Sequence, residues 1–155
     1  MLISRLRISA KLPVSDLMKR FLIVLLTIFA ALASARANLG DSEGKIDVSY
    51  GKRIQRLPRA DGTVSNVYEK RDYVYFVIFL KGVSVFEMYA HANRTDLSAK
   101  EIATFLKANA AGATWVSVNK GAGREFKRSD RKAKASYVRL AGRPTLTVMA
   151  TQPKR

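Results

Sequence analysis

The densest chemistry in this sequence is positive charge. Arg124, Lys127, Arg128, Arg131, Lys132 and Lys134 lie close together, and Arg139 and Arg143 follow. Phe126 and Tyr137 sit among them, and Trp115, the single tryptophan, lies upstream. Such a field attracts polyanions and anionic surfaces at long range, and salt weakens it. Basic groups beside aromatics also suit single-stranded nucleic acid, through phosphate contacts and base stacking. The eight residues form the candidate anion-binding set. The plainer alternative is a solvated basic hairpin that keeps the protein soluble.

Catalytic candidates are few. His91 is the only histidine and the chain has no cysteine, so a metal site would lack the ligands that zinc prefers. No G-x-S-x-G nucleophile elbow occurs. Glu87 and Asp72 are the acids nearest the hairpin expected over residues 73–90, but a glycosidase needs two carboxylates across a cleft. Glu87 is expected to face solvent or pair with a lysine. A small hydrolase using His91 or Glu87 is therefore an alternative from a different class. Gly121-Ala122-Gly123-Arg124 is glycine-rich, yet matches neither phosphate-loop pattern and reads as a hairpin turn. Asn93-Arg94-Thr95 fits the N-glycosylation acceptor, a pattern common by chance. No cofactor is implied.

The N-terminal region predicts export. Lys19 and Arg20 precede an apolar run over residues 21–33, and Ala35-Arg36-Ala37 fits an A-x-A cleavage site, with Ala33-Ser34-Ala35 as a second. The run is shorter than the roughly 20 residues of a transmembrane helix. An uncleaved signal anchor over residues 21–37 is the alternative. Met18-Lys19-Arg20 directly before the apolar run makes Met18 the expected initiator. Residues 1–37 are thus read as a signal segment and residues 38–155 as one exported domain, periplasmic or extracellular. Export disfavours nucleic acid as the partner. It favours an anionic envelope polymer or lipid headgroup.

Of 155 residues, 28 are Lys or Arg and 12 Asp or Glu, a formal charge of +16. From residue 120 onward the only acids are Glu125 and Asp130. The domain is large enough to bury a core but has no disulfide to support it.

The elements that would position these groups follow from pattern. Residues 38–51 predict a short helix, capped by Asp41 or Ser42 and ended by Gly51. Residues 52–70 are turn-rich, with a short strand near 64–68. Tyr73 to Leu80 is β-branched or aromatic up to its closing leucine, a central strand expected to be covered on both faces. Lys81-Gly82 turns it into a partner over residues 83–90. Ser98 and Glu101 form a capping box, Leu97 and Ile102 a hydrophobic staple, and Ile102, Phe105 and Leu106 share one helical face. Strands are expected over 114–118, 135–140 and 145–150, with a basic stretch over 124–134. The sum is an α+β domain: a mostly antiparallel sheet, built from the hairpin and two to three later strands, with helices on one face.

Tyr50-Gly51, the aromatic strand, the Lys81-Gly82 turn, Leu97-Ser98-Ala99-Lys100-Glu101-Ile102 and the Trp115 strand together resemble small exported bacterial proteins of unknown function. More distantly, the helical start followed by sheet is similar to the superfamily of the β-barrel-assembly lipoprotein and the β-lactamase inhibitor protein. That resemblance implies a binding module rather than an enzyme. Together these features predict a non-enzymatic binding or envelope-associated module for an anionic partner.

Overall fold

The computed structural model describes residues 39–120 and 123–151. The expected signal segment, Gly121-Ala122 and the tail beyond Thr151 lie outside the described residues. The elements are α1 (Glu43–Tyr50), β1 (Arg53–Pro58), β2 (Thr63–Lys70), β3 (Tyr73–Leu80), β4 (Val83–His91), α2 (Ala99–Ala108), β5 (Trp115–Lys120), β6 (Gly123–Arg128), β7 (Ala133–Leu140) and β8 (Arg143–Ala150).

All eight strands join one antiparallel sheet in the order β1-β2-β3-β4-β8-β7-β6-β5. This overturns the α+β expectation: the described residues form a single large sheet with two short helices. Four strands, not two to three, follow α2. The difference has two local causes. β1 is exposed at every position and ends in Pro58, so it carries no apolar alternation. It is an edge strand, where proline is tolerated, held by its ladder to β2 and by Arg53 and Arg56, which both reach Glu43 of α1. β6 holds the first part of the basic stretch. Its alternation is carried by Phe126 and Arg128 facing in and Glu125 and Lys127 facing out, a pattern that charge obscures.

The chain runs through a helix and four meandering strands twice. The two sets meet where β4 pairs β8, so the strand order reverses about that seam. The inner hairpins match in their turns. Lys81-Gly82 has φ of 52° and 80°, and Ala141-Gly142 has 47° and 77°. Both central residues are left-handed, as a two-residue I′ turn requires.

One face of the sheet carries the core. Tyr68, Tyr75, Val77, Phe79, Tyr89, Leu146 and Val148 are buried there with Ile46 of α1 and Ile102 and Leu106 of α2. Tyr50 of α1 stacks on Tyr75 at 4.2 Å and Phe105 of α2 stacks on Tyr89 at 4.4 Å. The helices form where the sequence allows. Ser98 accepts from the Glu101 amide while the Glu101 carboxylate accepts from the Ser98 amide. Leu97 and Ile102 are both buried. In α1 Gly51 takes φ 79° and donates to the Asp47 carbonyl, ending the helix.

Among the described residues no helix packs on the other, open face, where the large apolar side chains are half-buried and Ser65, Ala90, Thr145 and Thr147 are buried. β3 alternates buried and half-buried positions, so its expected cover on both sides is not found: both helices lie against the tyrosine side. Val67, Phe76, Ile78, Phe86, Met88 and Met149 point away from it. Among the described residues no helix is long and apolar enough to cross a membrane.

Candidate functional site

The eight basic residues divide by strand alternation. Side chains at successive positions alternate between faces, so β6 and β7 split the set. Lys127 and Lys134 are register partners on the open face, both exposed. Neither makes an ion pair among the described residues. Arg131 and Lys132 stand on the turn that joins their strands, also exposed, with Arg131 left-handed at φ 61°. A groove of about 340 Å³ runs beside the lysine pair, lined also by Glu125, Ser136, Thr147 and Met149. The Ser136 and Thr147 hydroxyls are 2.9 Å apart across it.

The other four lie elsewhere. Arg128 faces the core and is 6% exposed. Its guanidinium donates to the Asp130 carboxylate at 2.9 Å and to the Asn109 carbonyl at 3.0 Å, fastening the end of α2 to the β6–β7 turn. That pairing, followed by the Lys132 amide, holds the Asp130 carboxyl below its ordinary range. Arg124 and Arg139 line a second groove of about 530 Å³ on the helix side, with Asp96 and Tyr137. There Arg139 is neutralised by Asp96 at 3.1 Å. Arg143 begins β8, at the far end from Met149. The structure therefore gathers four of the eight, Lys127, Arg131, Lys132 and Lys134, at one corner of the open face.

Glu87 corrects the sequence expectation. It neither faces solvent nor pairs with a lysine; it is fully buried. Tyr50 Oη donates to it at 2.7 Å, Ser84 Oγ at 3.0 Å, and Tyr89 Oη also donates. Burial pushes its carboxyl pKa up, and the three hydroxyl donors oppose that rise. Burial first, then the nearby Glu87 charge, drives Tyr89 well above the ordinary tyrosine value. A carboxylate sealed in this way has no route to substrate. Sequence pattern holds one signal for it: Glu87 falls in phase with Tyr89 on β4.

His91 is bonded on both ring nitrogens, Nδ1 to Thr95 Oγ1 at 2.6 Å and Nε2 to Glu101 Oε1 at 2.7 Å. Tyr73 Oη donates to the same Glu101 oxygen. The Ser98 cap and the Tyr73 hydroxyl lower the Glu101 carboxyl to about 2. Burial, then Glu101, raises Tyr73 to about 12. The cluster ties the end of β4 to the first turn of α2. Among the described residues no group of three or more His, Asp or Glu is arranged to hold a metal.

No protein-family model matches the chain, and no curated protein matches it. The expected kinship with the β-barrel-assembly lipoprotein and β-lactamase inhibitor protein superfamily, and with small exported bacterial proteins, is not supported. Among solved structures, a cysteine-rich secretory protein from Staphylococcus aureus subsp. aureus Mu50 is similar at 10% identity and a TM-score of 0.43. The match covers 72% of this chain and 44% of that one, so the chain spans less than half the length of that neighbour.

Proposed function

We propose that the protein is an exported, non-enzymatic binding module that holds an anionic envelope polymer or lipid headgroup at the β6–β7 corner of its open face. The observation that carries this reading is the pairing of Lys127 with Lys134. Like charges directly opposite one another on antiparallel strands destabilise a sheet. An anionic partner would reverse that penalty, and Arg131 and Lys132 on the adjoining turn add to the same field. Signal-directed export supplies the compartment in this reading.

Retention of purified protein on an anionic matrix tests it. The Lys127→Glu/Lys134→Glu double variant should elute at markedly lower salt than wild type with an unchanged circular dichroism spectrum. The charge-matched Arg124→Glu/Arg139→Glu variant, on the opposite face, should shift elution less. Equal shifts from the two variants would reduce the site to bulk charge and remove the proposal.

A second reading, a small hydrolase, draws on the Thr95–His91–Glu101 chain of contacts. It is the weaker of the two. The single Thr95 hydroxyl proton is also claimed by Asn93 Oδ1 at 2.8 Å, and Glu101 is shared with Tyr73 and the Ser98 amide. Ester hydrolysis lost in His91→Gln would favour it.

A further inference from the structure

We infer that the open face binds a single-chain anionic amphiphile, with its headgroup on Lys127 and Lys134 and its acyl chain across the apolar centre of the sheet. The inference rests on the anion-binding reading and names the ligand class for that site.

Strand register sets the parts in line. Lys127 pairs with Lys134, Lys134 with Met149, Met149 with Phe86, and Phe86 with Ile78. These five residues form one row at right angles to the strands, all on the open side. Strands lie about 4.8 Å apart, so two lysines and then three apolar residues follow at even steps. Beside this row runs a second, in which Met88 pairs with Phe76 and Phe76 with Val67. Phe76 and Phe86 meet edge to face at 6.3 Å between centroids. The result is a contiguous apolar patch ending at an unneutralised cationic pair.

Neither helix covers this patch, since α1 and α2 pack their aromatic side chains against the tyrosine face. Contiguous uncovered apolar surface rimmed by polar groups marks a binding site. Two of its members are methionines, whose flexible thioethers adapt to a chain of variable conformation. At the junction of the charged and apolar parts lies the groove, lined by the Ser136 and Thr147 side chains, whose hydroxyls bond to each other. Glu125 lines the same groove and repels an anion from that side, which directs the headgroup toward the β6–β7 turn and its Arg131 and Lys132. A polymer of uniform charge would match the lysines and leave the apolar row unused. A charged head with one chain matches both.

The test is calorimetric titration of the full-length protein with lysophosphatidylglycerol below its micellar concentration, in a series of acyl lengths. Lysophosphatidylcholine of equal length and glycerol 3-phosphate serve as controls. Affinity should rise about fourfold per methylene and fall at least about tenfold with the zwitterionic head. Met88→Gln, which lies outside the groove lining, should flatten the chain-length dependence while leaving retention on the anionic matrix unchanged. The wild-type series carries the test if that variant does not fold. Affinity that ignores chain length, or equals that of glycerol 3-phosphate, overturns the amphiphile and leaves the anion site standing. That outcome does not depend on whether the lysine variants lose matrix retention, so the two failures are separable. A dimer that the amphiphile does not disrupt, and that the methionine variant dissolves, also overturns the inference, because a second copy then occupies the face.

Discussion

Replacing Glu87 by glutamine should change how stability depends on pH. The carboxyl is fully buried and bonded to three hydroxyls, with no cation paired to it among the described residues. An ion removed from water without a counter-ion costs several kcal/mol, and hydroxyl donors offset part of this. Its pKa therefore stands above the unfolded value, which is about 4.3 for a free glutamate. Below that value both states hold the proton, and the contribution of Glu87 to stability is fully present. As pH rises, the unfolded chain releases its proton first. Stability then falls by up to about 1.4 kcal/mol per pH unit until Glu87 itself ionises. Glu87→Gln keeps the size and the acceptor oxygen and removes the titration. Urea midpoints for both proteins, from about pH 4 to 8, give the difference. The two should lie closest at the acid end, and the variant should gain relative stability with rising pH before levelling off. Parallel profiles across the whole range would refute the reasoning.

Two other perturbations separate structural charge and space from functional charge. Arg128→Ala should destabilise by about 1.5–3 kcal/mol, the value of hydrogen bonds from a charged donor, since it strips the Asn109 carbonyl of its partner. Lys127→Ala should stay within about 0.5 kcal/mol of wild type, and denaturant unfolding of the pair checks both. Gly123→Ala would bring a Cβ to 2.9 Å from Val138 Cγ1 and should cost about 1–3 kcal/mol by overpacking. Adding Val138→Ala should recover most of that loss in a double-mutant cycle.

The parts legible in the sequence are those where local chemistry and tertiary demand agree. Ser98, Glu101, Leu97 and Ile102 specify the start of α2 without help from the rest of the chain, and they form the cap and staple expected of them. Lys81-Gly82 and the aromatic run before it give the β3–β4 hairpin in the same way. The sheet's true extent is not legible, because β1 is all exposed and β6 is mostly charged. Such strands exist through pairing with neighbours, which no local pattern records. The basic set is visible as a stretch, but its division is hidden. Strand phase alone sends Arg128 into the core and Lys127 out, and the phase of β6 becomes visible only with its partner β7. Glu87 escapes a local reading for a related reason: its surroundings come from α1 and β4 together.

The seam between β4 and β8 also sets an order of events. Each run of four strands closes through short turns, so its pairings join residues near in sequence. The seam joins residues as distant as Phe86 and Met149, through only four paired positions. Contacts of long sequence separation form late and slowly. Each half then has time to collapse on its own before the halves meet. Until that moment both β4 and β8 present a free strand edge to any other molecule in the same state. A chain that pairs its β4 with the β8 of a neighbour would satisfy the same hydrogen bonds, so refolding at high concentration should yield exchanged dimers that dilution does not quickly undo.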